Sequence, residues 1–109
     1  MGTATLEVSG AGAAQWASEL HATLVANSQP GDSVSPVEVQ RSAELVIAII
    51  GLVFAGVGTA KTIWDWWLSR RRPEGVTIRI LLADGTQLDL SNVSQGELEI
   101  SFQQAASQR

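Results

Sequence analysis

Sixteen residues without a charge, Leu45 to Ala60 (LVIAIIGLVFAGVGTA), constrain this chain more than any other stretch. The run is apolar on every side of a helical wheel, so as a helix it must be enclosed by protein or by lipid. It reads as the start of one long apolar helix over 41–70, which continues through Lys61, Trp64, Asp65, Trp66, Trp67 and Leu68 to Arg70, Arg71 and Arg72. Pro73 and Gly75 then stop it. At about 1.5 Å per residue the uncharged part covers roughly 24 Å, less than a hydrocarbon layer of roughly 30 Å. Extension to Leu68 reaches roughly 36 Å and puts Lys61 and Asp65 near a membrane edge, where charge is tolerated.

Two readings of this helix stay open. In the first it is a core or intersubunit helix of a small α/β (α+β) domain, with Gly51, Ala55 and Thr59 forming a small-residue stripe for close helix packing. In the second it is a single membrane span over 45–68, with the tryptophans as an interfacial belt and the Arg70–Arg72 end cytoplasmic. Under either reading Trp64, Trp66, Trp67, Arg70, Arg71 and Arg72 are the candidate contact residues, because aromatic and arginine side chains concentrate binding energy at protein interfaces and anchor helices at headgroups. A third role competes with both: Trp64 and Trp67 inside a core, and the arginines solvated at a helix C-terminus where positive charge suits the helix dipole.

Composition removes most chemistry. The chain has 109 residues, enough for one domain over 1–109, with no Cys and a single His21. Thiolate nucleophiles, disulfides, zinc-thiolate sites and histidine-rich metal clusters are therefore excluded, and neither a metal nor a cofactor is expected. Net charge is −4 and the isoelectric point about 4.8, the wrong sign for nucleic acid. The charge is uneven: 1–40 carries four acids and no Lys or Arg, 41–73 five bases against two acids, and 74–109 two bases against five acids. Met1 to Gly12 has neither the basic nor the apolar region of a secretory signal, so the expected location is the cytoplasm, with membrane association under the span reading.

The flanks of the apolar run are easier to place. Leu6 and Val8 alternate with Thr5, Glu7 and Ser9 in a strand over 3–9, closed by Gly10 and Gly12. Trp16, Leu20 and Leu24 recur every four residues beside Ala13 and Ala17, predicting an amphipathic helix over 13–26. After the turn residues Asn27 to Asp32, a strand over 34–39 is confined to an edge by Pro36. Residues 76–91 form a β-hairpin. Its tight two-residue form would pair Leu82 with Gln87 and scramble the apolar face. A three-residue loop of Ala83, Asp84 and Gly85 instead pairs Leu82 with Thr86, Ile80 with Leu88 and Ile78 with Leu90, and this bulged turn is the expected one. Ser94 and Glu97 have capping-box spacing ahead of a helix over 95–107, although Leu98, Ile100 and Phe102 also alternate as in a strand; the helix is favoured. The expected architecture is a small sheet with a C-terminal hairpin, packed on the long helix and one or two others.

No catalytic constellation emerges. His21 lacks partners, and Asp84-Gly85 is explained by its turn. Lys61 and Asp65 read as an i, i+4 salt bridge, and Gly56-x-Gly58 lacks the strand and third glycine of a nucleotide loop. The order of segments, an N-terminal strand, a helix, a long Ala/Gly/Val-rich helix ending Trp66-Trp67-Leu68-Ser69-Arg70-Arg71-Arg72, the strand Val76-Thr77-Ile78, the Asp84-Gly85 turn and a C-terminal helix, resembles the effector-associated constant component family of bacterial conflict systems. The resemblance covers nearly the whole chain, although Gln103 to Arg109 is more polar and less basic than it would lead one to expect. It implies a non-catalytic adaptor or assembly component, partnered with an effector such as a caspase-like or trypsin-like protease, self-associating or not, that couples detection of invasion to effector activation. It carries over no catalytic residue.

Overall fold

The computed structural model describes residues 2–42, 45–70 and 75–107. Strand β1 (Gly2–Gly10) buries Ala4, Leu6 and Val8 on one face and leads into helix α1 (Ala13–Ala26), which buries Ala13, Ala17, Leu20 and Leu24. Two short edge segments follow, β2 (Ser33–Val34) and β3 (Glu38–Ser42), then the long strand β4 (Leu45–Phe54) and helix α2 (Gly58–Ser69). The chain finishes with β5 (Val76–Leu82), β6 (Gln87–Asp89) and helix α3 (Gln95–Ser107). The strands form one antiparallel sheet in the order β2-β4-β1-β5-β6, with β3 also paired to β4. Two β-α-β units therefore interleave: β4 lies between β1 and β3, and β1 lies between β4 and β5, the split β-α-β arrangement.

The long helix over 41–70 is not formed. Leu45 to Phe54 is a strand, and helix begins only at Gly58. The reason lies in residue type. Val46, Ile47, Ile49, Ile50 and Val53 are β-branched, which restricts their rotamers in a helix and suits a pleated surface. Gly56 and Gly58 then punctuate the chain before the tryptophans. Apolar residues on both faces of β4 erased the alternation that marks a half-buried strand, and a run without alternation has no period to separate strand from helix. A 45–68 span goes with it: among the described residues no helix is long and apolar enough to cross a membrane.

The expected strand over 34–39 is split. Ser33 and Val34 pair with Val53 and Leu52, and the Ser35 N–H donates to Gly51 O at 2.9 Å, but Glu38 pairs with Ile49. Three steps on the edge thus oppose two on β4, a β-bulge at Pro36–Val37. Pro36, which has no N–H to give the ladder, sits where its absence does least harm.

The hairpin has the expected register. The Leu82 N–H donates to Thr86 O at 2.9 Å, the Leu90 N–H to Ile78 O at 3.0 Å, and Ile80 faces Leu88. Gly85 takes φ +92°, the positive angle that the bulged turn requires. Helix α3 also forms as expected, with the Glu97 N–H donating to Ser94 Oγ at 3.2 Å and the Ser94 hydroxyl to Glu97 Oε1 at 3.3 Å. Its Leu98, Phe102 and Ala105 are buried, with Phe102 packed on Phe54 of β4 at 4.7 Å between ring centroids. All three helices lie on one face of the sheet, over Leu6, Val8, Ile50, Ile78 and Ile80.

Candidate interaction surface

The tryptophans expected at a contact surface lie inside the fold. Trp64, Trp66 and Trp67 are 6%, 4% and 1% exposed, so the competing core role is the one their burial supports. Ala60, Ile63, Trp64 and Trp67 fall on one stripe of α2, while Trp66 turns towards α1 and meets Trp16 edge-on at 6.1 Å and 77°. Arg70 is exposed and its Nη2 lies 3.2 Å from Glu19 Oε1 of α1, a surface ion pair worth about 0–1 kcal/mol. Arg71 and Arg72 lie outside the described residues. Gly51, Ala55 and Thr59 do not make a stripe: they fall in β4, in the connection after it and in α2 respectively.

The remaining singled-out groups are quiet. Lys61 and Asp65 are both exposed and do not form the expected ion pair. Among the described residues no group of three or more acidic or histidine side chains is placed to hold a metal ion. Asp84 caps its own turn: the Thr86 N–H donates to Asp84 Oδ1 at 2.9 Å, and this bond holds the carboxyl below its usual range. A depressed folded-state pKa means that the fold favours the carboxylate. Its stabilising contribution is present above the unfolded value, near pH 4, and is lost as pH falls through the folded value. Urea titrations between pH 6 and pH 2 should show the wild-type midpoint falling more steeply below about pH 4 than that of Asp84→Asn.

The surface that does stand out is the sheet face away from the helices. On β1 and β5 that face is what water favours: Thr3, Thr5, Glu7 and Ser9, then Thr77 and Arg79. On β4 it is apolar, with Ile47, Ile49 and Val53 partly exposed, and Leu81 of β5 is another large apolar residue there. A partly exposed apolar strip rimmed by polar rows is the pattern of a contact surface. Reading 45–54 as helix hid it. Once the segment is a strand, its odd-numbered residues fall on one face directly.

Along β4 the strip is interrupted by a hollow of about 400 Å³ lined by Thr5, Ser35, Pro36, Glu38, Ile49 and Gly51. Its floor at Gly51 is bare backbone: a Cβ there would stand 3.1 Å from Ser35 Oγ. The bulge at Pro36–Val37 shapes the rim, and the register sets Glu38 and Glu7 on either side of Ile49. Compared with models of known families, with curated proteins and with solved structures, the chain has no significant match.

Proposed function

We propose that the chain is a non-catalytic adaptor of a bacterial conflict system, which binds an effector such as a caspase-like or trypsin-like protease and couples sensing to its activation. One structural observation carries the binding part of this reading: the apolar outer row of β4, Ile47, Ile49 and Val53, lies on a sheet face that, among the described residues, no helix covers. Burying such a row against a second protein is favourable by about 25 cal/mol per Å² of apolar area. The resemblance supplies the partner class through its Trp66–Arg72, Val76–Ile78 and Asp84-Gly85 sequence features, since the long helix in its segment order is replaced by β4 and α2. The tryptophans then act indirectly, as part of the core beneath the other face of the sheet.

The test uses the purified chain and the caspase-like or trypsin-like protease of its own gene neighbourhood. The two should co-elute in size-exclusion chromatography with light scattering, and the chain should change the rate at which the protease cleaves a peptide substrate. Ile49→Asp, on the outer face, should abolish co-elution while leaving the circular dichroism spectrum intact. Separate elution with an unchanged cleavage rate overturns the reading.

A further inference from the structure

We propose that the hollow over Gly51 receives an arginine or lysine side chain from the protein segment that docks on the outer sheet face. This rests on the adaptor reading for the existence of a docking segment, and names the chemistry that the segment must present.

The floor and walls are apolar where a side-chain stem would lie: Ile49, Pro36 and the glycine itself, with Thr5 alongside. Carboxylates stand where its head would emerge. Glu38 lines the hollow, and Glu7 is the neighbour of Ile49 on β1, two inter-strand spacings from Glu38, or roughly 10 Å. The cross-strand row reads Glu38, Ile49, Glu7, Arg79, Asp89, three acids against one base. That base is turned to the far side: Arg79 Nη2 donates to Gln87 Oε1 at 3.0 Å. Among the described residues neither Glu7 nor Glu38 has a hydrogen-bond or ion-pair partner for its carboxylate.

Apolar stem and cationic head in one side chain describe arginine and lysine, whose methylenes cover hydrophobic surface while the charge stays at its rim. Arginine fits better, because its planar fork can address both carboxylates, whereas a lysine ammonium addresses one at a time. An acidic side chain would meet two like charges, and a purely apolar one would leave the carboxylates to be desolvated unpaired. The net charge of −4 adds long-range attraction for a basic segment.

The test titrates the ¹⁵N-labelled full chain with acetyl-Leu-Arg-Leu-Arg-Leu-amide, and in parallel with the same peptide carrying neutral citrulline for arginine. The arginine peptide should shift the amides of Thr5, Glu38, Ile49 and Gly51 saturably, and the citrulline peptide should bind at least tenfold more weakly. Glu38→Gln and Glu7→Gln should each weaken binding about fivefold. Gly51→Ala, which puts a methyl on the floor of the hollow against the Ser35 side chain, should weaken it by a smaller factor with the sheet amides unshifted elsewhere.

Equal binding of both peptides, insensitivity to Glu38→Gln, or shifts scattered over the surface overturn the proposal. So does arginine amide alone binding as tightly as the peptide, which makes the ligand a free small cation. Concentration-dependent broadening of the same amides without peptide makes the occupant a second copy and overturns it too. A protease complex that forms normally with Gly51→Ala and Glu38→Gln refutes the hollow and leaves the adaptor reading standing. Failure of the complex with intact peptide binding does the reverse.

Discussion

Trp67→Ala is expected to cost about 3–5 kcal/mol of folding stability, the range for deleting a large buried aromatic. Trp67 is 1% exposed within the core. A domain of this size holds about 5–15 kcal/mol in total, so the variant loses from about a fifth to all of its stability, and its urea midpoint by circular dichroism should fall steeply. Trp67→Phe separates the causes. The indole Nε1 is buried without a hydrogen-bond partner in the protein, so phenylalanine forfeits packing volume but no hydrogen bond and should recover much of the loss. An alanine variant that unfolds at the wild-type midpoint would show that α2 does not pack as described. For the same reason a triple alanine variant at Trp64, Trp66 and Trp67 should lose any partner binding together with the fold, not separately from it.

Gly10→Ala is expected to be comparably severe for a different reason. Gly10 has φ +106°, and a Cβ built there falls 1.9 Å from the carbonyl oxygen of Gly75, which already accepts the Ala11 N–H at 3.1 Å. The obstacle is backbone, which cannot swing aside as a side chain does. The last pair of the β1 and β5 ladder, Gly10 with Val76, must open. Steric strain at positive φ costs about 1–2 kcal/mol and overpacking about 1–3 kcal/mol, so a loss of roughly 2–5 kcal/mol follows. Gly58→Ala is the control: a Cβ there meets nothing within 4 Å, and the folding stability should change by about 0.5 kcal/mol or less. Similar effects of the two substitutions would overturn the geometry at the β1–α1 junction.

Elements whose sequence carried a local stop or a clean period were legible. Helix α1 announced itself through Ala13, Ala17, Leu20 and Leu24, and α3 through Ser94 and Glu97. The hairpin register followed from demanding that Ile78 and Ile80 share a face with Leu88 and Leu90. Residues 41–60 failed because Ile47, Ile49 and Val53 are apolar on a face where the other strands are polar, and that departure is what makes the face a candidate site. The local pattern was lost where apolar residues occupy both faces of the strand. The tryptophans misled in the opposite way. Residue types enriched at interfaces are also good core formers, and only burial tells the two apart. The hollow over Gly51 was beyond local patterns altogether, since Gly51, Ser35 and Glu38 meet only through the bulged edge of the sheet.

The interleaving of the two β-α-β units has a consequence for how the chain matures. The N-terminal strand occupies the middle of the finished sheet, flanked by 45–54 on one side and 76–82 on the other. A polypeptide emerging from the ribosome must therefore hold its first ten residues half-paired until the last third has been synthesised, and contacts this distant in sequence form slowly. A product truncated before Val76 would expose the backbone of Ala4 to Gly10 as an open template for other chains, so premature termination should yield aggregates and not a smaller folded protein.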